Sequence, residues 1–223
     1  DADNRTGRYS ESQSFQIGGL ADDITTPNIF EMENIAPKSI QEVANNTWLV
    51  DFGKAAFASL SFKYPASKKQ KITVRIGEQL TNGRINSDPQ GNIRFQEVEV
   101  QVRPGQEEYS LALPKDKRNT GPAAVSLPDS FPVLLPFRYA EIVAEKEPEK
   151  ILQNAYFSYF EEDQSSFSSS DTILNQVWEL CKYSMKATSF AGIYVDGDRE
   201  RIPYEADAYI NQLSHYAVGW EYP

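Results

Sequence analysis

Glu97-Val98-Glu99-Val100-Gln101-Val102 places a branched apolar side chain at every second position, and that spacing decides the fold. Successive side chains of a strand point to opposite faces, so this stretch has one dry face and one wet face. The same period recurs on either side of it. Leu60, Phe62 and Tyr64 interleave with Ser59, Ser61 and Lys63, and Ile72, Val74 and Ile76 interleave with Thr73 and Arg75. Further on, Tyr109, Leu111 and Leu113 alternate with Ser110 and Ala112. The breaks carry turn chemistry: Tyr64-Pro65-Ala66-Ser67, Thr81-Asn82-Gly83, Asp88-Pro89-Gln90-Gly91 and Arg103-Pro104-Gly105. Regularly spaced strands with no helical period between them predict an antiparallel sandwich of two sheets over residues 46–164.

Within that span the proline-rich stretch Pro114–Pro136 reads as a long surface loop before a strand at Phe137–Val143. A loop of this length either packs against a neighbouring domain or is a simple excursion. Residues 1–45 are irregular and receive no fold. They read as a lead-in or the end of a preceding domain, and Asp1-Ala2-Asp3-Asn4-Arg5 looks like a cut within a longer chain.

The period changes at Ser168. Ser168-Ser169-Ser170-Asp171 offers several N-caps, and Ile173, Leu174, Val177, Cys181, Met185 and Thr188 follow at helical spacing. This helix is expected to reach about Thr188, with Cys181 in its core face. A second helix is expected from near Glu205 through Tyr209, Ile210, Leu213 and Tyr216 to a stop at Gly219. Two helices flanking a polar loop cannot bury their apolar faces alone, so residues 165–223 read as the opening of a larger helical domain. The fold class is therefore mainly β, a β-sandwich followed by the first helices of a second domain.

With 223 residues, 40% apolar and 12% aromatic, the chain has ample material for a core. Its net charge of −10 and scattered basic residues argue against a nucleic-acid partner. One cysteine excludes an intrachain disulfide, and one histidine with one cysteine excludes a zinc site built from several such ligands. No apolar run approaches the roughly 18 residues of a membrane span, and no signal segment is visible.

Chemistry concentrates between the two helices. Tyr194–Ala208 holds five carboxylates, two arginines and two tyrosines in fifteen residues. Cleaving a glycosidic bond needs a proton donor and a second carboxylate, and crowded acids beside aromatic walls supply the environment such a donor needs. Two blander readings stand beside this one. Glu205 and Asp207 suit a helix start through the dipole alone, and Arg–Glu pairs form ordinary surface salt bridges. Asp196, Asp198 and Glu200 also alternate as in a calcium loop, although the glycine and distal glutamate of an EF-hand are missing.

The run Ser189–Asn211 resembles the signature of α-L-rhamnosidases of glycoside hydrolase family 78. In that family an acid-rich segment follows the first helix of an (α/α)6 barrel. Upstream elements occur in the family's order. They are Trp48–Gly53 for its Asp-Phe-Gly strand, Gly77–Leu80 for its Ala-Glu-x-Leu segment, Pro136–Tyr139 for its Gly-Phe-Arg-Tyr, and Phe167–Gln176 for the lead into the barrel. The resemblance implies a sandwich joined to a barrel whose remaining part belongs to the same protein. It also implies a rhamnose-containing carbohydrate as ligand, no cofactor or metal, no membrane insertion, and a secreted or periplasmic enzyme.

Carried over by position, Glu200 falls on the general acid, Tyr204 on the tryptophan lining the sugar pocket, Asp207 on the closing aspartate, and Arg201 on the arginine after the acid. Either Asp196 or Asp198 matches the first aspartate, because this loop is shorter and lacks the family's Cys-Pro pair. Family members invert configuration with a base from later in the barrel, the two carboxyl groups standing about 6.5–9.5 Å apart. The expectation is therefore a chain with the acid and without the base. The alternative is a non-catalytic carbohydrate-binding or structural module, for which Trp48, Tyr64 and Phe95 are the candidate exposed aromatics.

Overall fold

The computed structural model describes residues 30–158 and 165–218. Eight antiparallel strands form one hydrogen-bonded network: β1 (Phe30–Ile35), β2 (Ser39–Ala44), β3 (Thr47–Lys63), β4 (Gln70–Gly77), β7 (Phe95–Val102), β8 (Glu108–Ser110), β9 (Leu135–Val143) and β10 (Glu149–Ser158). Their order is β1-β10-β3-β9-β4-β7, with β2 and β8 also pairing with β3. A small hairpin, β5 (Leu80–Thr81) and β6 (Arg84–Ile85), stands beside it.

The sandwich is organised by β3. Its first part, Thr47–Asp51, lies between β2 and β9, while Ser61–Lys63 lies between β10 and β8. Between them the register shifts from Asp51 to Ala56, where Gly53 takes φ +86°, a value that favours glycine. A strand that changes partners at such a bend carries the chain from one layer to the other. Both parts then share one core, with Val50, Phe52, Leu60 and Phe62 from β3 meeting Val74, Ile76, Phe137, Ile142 and Phe157.

Several expectations need correction. The stretch before residue 46, given no fold, contributes β1 and β2; their side chains are largely exposed, so edge pairing rather than a buried apolar face makes them strands. Tyr109, Leu111 and Leu113 are all buried, yet β8 ends at Ser110, and only the bond from Leu111 N to Leu60 O (2.8 Å) continues it. The candidate sugar-stacking aromatics are not free platforms. Tyr64 is in the core, Trp48 is half-buried with its Nε1 donating to Ala144 O (3.2 Å), and Phe95 is half-buried.

Helix α1 (Thr172–Thr188) is capped by Asp171, whose carboxylate accepts from Ile173 N (2.8 Å), and α2 (Glu205–Val218) follows the acid-rich loop. Between them a hairpin of β11 (Ser189–Phe190) and β12 (Ile193–Tyr194) turns at Ala191-Gly192, both at positive φ, as a tight two-residue turn requires. Helix α1 meets the sandwich through Tyr183, whose hydroxyl donates to Ala55 O (2.7 Å) and whose ring meets Phe157. Cys181 is exposed, not in a core: Ile173, Leu174, Val177 and Leu180 are likewise exposed. Helix α2 exposes Tyr209, Ile210 and Leu213 in the same way. The expected stop at Gly219 and the lead-in before Phe30 lie outside the described residues.

Candidate active site

Where the helices meet the sandwich, a second core forms from Phe57, Leu134, Phe190 and Val195. It fixes the start of the acid-rich loop, because Val195 N donates to Thr188 O (3.2 Å) and the Ser158 hydroxyl donates to Ser189 O (3.1 Å).

The middle of the loop is held by a buried charge network. Asp198, with a side chain 4% exposed, receives Arg201 Nε (2.6 Å) and Asn119 Nδ2 (3.1 Å) on Oδ1 and Arg94 Nε on Oδ2. The Arg94 guanidinium also donates to the Asp198 carbonyl and to Asp116 Oδ2 (3.0 Å). Arg201 donates to Leu134 O (2.5 Å) and lies over the rings of Phe57 and Phe190. Its carbonyl accepts Val125 N (2.8 Å), which ties the long loop after β8 to this region. That loop therefore packs on the site and is no simple excursion. A buried carboxylate held by two guanidiniums and an amide is fully engaged. Asp198 and Arg201, expected to bind substrate, thus have their polar atoms committed to the scaffold, and Arg201 lines a separate cavity behind the loop.

Beside this network lies an open cleft of about 440 Å³ between the sandwich and the helices. Asp196, Arg199, Tyr204 and Asp207 line it together with Asp198, and the sandwich contributes Ala55, Phe57, Glu78 and Pro136. Asp196 has a side chain 13% exposed, and its Oδ1 has no hydrogen-bond partner among the described residues. Burial, reinforced by Glu200 and Asp207, raises its pKa above the usual carboxylate range despite Arg199 at 3.8 Å. Glu200 stands beside the cleft rather than in its wall, joined to two lining residues. The Tyr204 hydroxyl donates to Glu200 Oε2, and Arg199 Nε lies 3.2 Å from Oε1. That hydrogen bond raises the Tyr204 phenol.

The structure thus gathers Asp196, Glu200, Tyr204 and Asp207 into one neighbourhood and turns Asp198 and Arg201 into their support. Among the described residues no group of three His, Cys, Asp or Glu side chains is placed to hold a metal ion, and no helix is long and apolar enough to cross a membrane. Sequence reading missed Arg94, Asn119 and Asp116, because single polar residues in irregular segments carry no pattern. Glu78 was visible only as part of a resemblance.

Residues 41–154 match the family model for the bacterial α-L-rhamnosidase concanavalin-like domain, and residues 162–219 match that for the six-hairpin glycosidase domain of the same enzymes. The chain belongs to the bacterial α-L-rhamnosidase family. Among solved α-L-rhamnosidases, that of Dictyoglumus thermophilum is 15% identical with a TM-score of 0.61, over 84% of this chain and 20% of its own. The Streptomyces avermitilis α-L-rhamnosidase complexed with L-rhamnose is 14% identical with a TM-score of 0.55, over 77% of this chain and 15% of its own. The Klebsiella oxytoca rhamnosidase with rhamnose bound is 16% identical with a TM-score of 0.52, over 78% of this chain and 38% of its own. This chain therefore spans well under half of each, and the likeness shows the shared fold. No curated protein matches it.

Proposed function

We propose that this chain is part of an inverting glycoside hydrolase that removes terminal α-L-rhamnose from glycans or glycosides. Residues 46–164 are its accessory sandwich and residues 165–223 the opening of its catalytic barrel. The observation that carries the reading is the grouping of Asp196, Glu200, Tyr204 and Asp207 at one cleft, in a chain whose family is that of the α-L-rhamnosidases.

Glu200 is the general acid. It gives its proton to the glycosidic oxygen as the bond to the sugar carbon breaks, which avoids expelling an alkoxide. The Tyr204 hydroxyl and Arg199 fix the direction of its carboxyl group. Asp196, with an acceptor atom lacking a partner among the described residues, binds a sugar hydroxyl, and Asp207 at the start of α2 takes another. Tyr204, 39% exposed as a residue, offers its ring to the apolar face of the sugar. The base that activates water comes from a later hairpin of the same domain. The exposed apolar residues of α1 and α2 fit packing against such hairpins. An enzyme cleaving such glycans works outside the cytoplasm, as a secreted or periplasmic protein.

The test is Glu200→Gln in the full-length enzyme. Turnover of a rhamnoside with a poor leaving group should fall by about 10²–10⁴-fold while rhamnose binding persists. Near-normal turnover of that substrate would remove Glu200 from the role.

A further inference from the structure

Glu78 belongs to the sandwich, between β4 and β5, yet it lines the same cleft as Asp196 and Tyr204. It is held at its root and on one oxygen. Glu78 N donates to Arg94 O (3.2 Å), and Glu78 Oε2 accepts from Arg94 N (2.7 Å). The same Arg94 clamps Asp198 through its guanidinium, so one residue sets the position of the loop and of Glu78 together. The neighbouring hairpin is pinned as well. Buried Glu141 accepts from Arg84 Nε (2.7 Å) and from Ile85 N (2.9 Å). The second carboxylate oxygen of Glu78 has no hydrogen-bond or ion-pair partner among the described residues.

From this geometry we propose that Glu78 is a sugar-recognising residue supplied by the sandwich, its Oε1 accepting a hydrogen bond from a ring hydroxyl of the bound terminal sugar. The assignment rests on the rhamnosidase reading above and gives the accessory domain a direct part in specificity. Burial, opposed by the Arg94 N–H and aided by the charge of Asp198, raises the Glu78 pKa. A group so desolvated gains from a hydroxyl donor, which restores the hydrogen bonding that burial removed. A rigidly held acceptor binds a hydroxyl without a further ordering cost.

The experiment uses the full-length enzyme, an aryl α-L-rhamnoside and its 2-, 3- and 4-deoxy analogues. Glu78→Ala is expected to raise KM by about 10–100-fold with kcat changed far less, as loss of binding common to ground and transition states requires. Glu78→Gln, which preserves the bond to Arg94 N, should fold normally and fall between wild type and Glu78→Ala. One deoxy analogue should be cleaved equally by wild type and Glu78→Ala, because the atom Glu78 recognises is already gone. A purely structural role would lower turnover of all the analogues alike. An active wild type with unchanged KM in both variants, or with an equal loss on every analogue, overturns the assignment alone. A wild type inert towards the parent rhamnoside overturns the functional reading, and this assignment with it.

Discussion

Replacing Arg94 with methionine removes the clamp between the sandwich and the acid-rich loop while keeping most of the side-chain volume. The Arg94 side chain is 2% exposed and that of its partner Asp198 is 4% exposed, so the pair is shielded from water. Removing one member of a buried pair costs about 3–5 kcal/mol, because the other charge stays behind without its partner. Asp198 retains Arg201 at 2.6 Å and Asn119 at 3.1 Å, which places this loss near the lower end, at about 3 kcal/mol. At 1.4 kcal/mol per decade that corresponds to opening of the loop roughly 10²-fold more often. Hydrogen exchange of the Val125 amide reads this directly, since its acceptor is the carbonyl of Arg201. Exposed Arg118, which pairs with the same Asp116, is the control, and Arg118→Ala should cost no more than about 1 kcal/mol. Equal exchange at Val125 in wild type and Arg94→Met would refute the claim that this network holds the site.

Two further outcomes follow from named contacts. Burial raises the folded-state pKa of Asp196 above its unfolded value, so its ionised form opposes folding above that pKa, and the opposition fades as pH falls from the folded value to the unfolded value near 4. Asp196→Asn should therefore melt no lower than wild type at pH 7 while losing affinity for rhamnose, with the stability difference shrinking towards pH 4; a lower melting temperature at pH 7 contradicts this. At Gly77 an added Cβ would come within 2.7 Å of Ile85 Cγ2, a buried side chain of the hairpin next to Glu78. Gly77→Ala should cost about 1–3 kcal/mol in chemical denaturation, and a variant as stable as wild type would show that Ile85 yields freely.

Local pattern by itself determined the strands at residues 60–63, 71–76 and 97–102, the switch to helix at Asp171, and the second helix from Glu205. Period two and period 3.6 are properties of neighbouring residues, and caps and turn residues act within a few positions. Residue types also located the acid-rich loop between the helices. Tertiary structure alone decided what each of its acids does. Asp198 and Asp196 are two residues apart and chemically identical, yet Arg94 and Asn119, 104 and 79 residues from Asp198 along the chain, engage Asp198 and leave Asp196 Oδ1 without a partner among the described residues. The strands β1 and β2 were invisible for the same reason, since edge strands are specified by partners and not by their own apolar period. The fate of a carboxylate depends on which donors the fold brings within about 3 Å, and those come from parts of the chain that no local period connects.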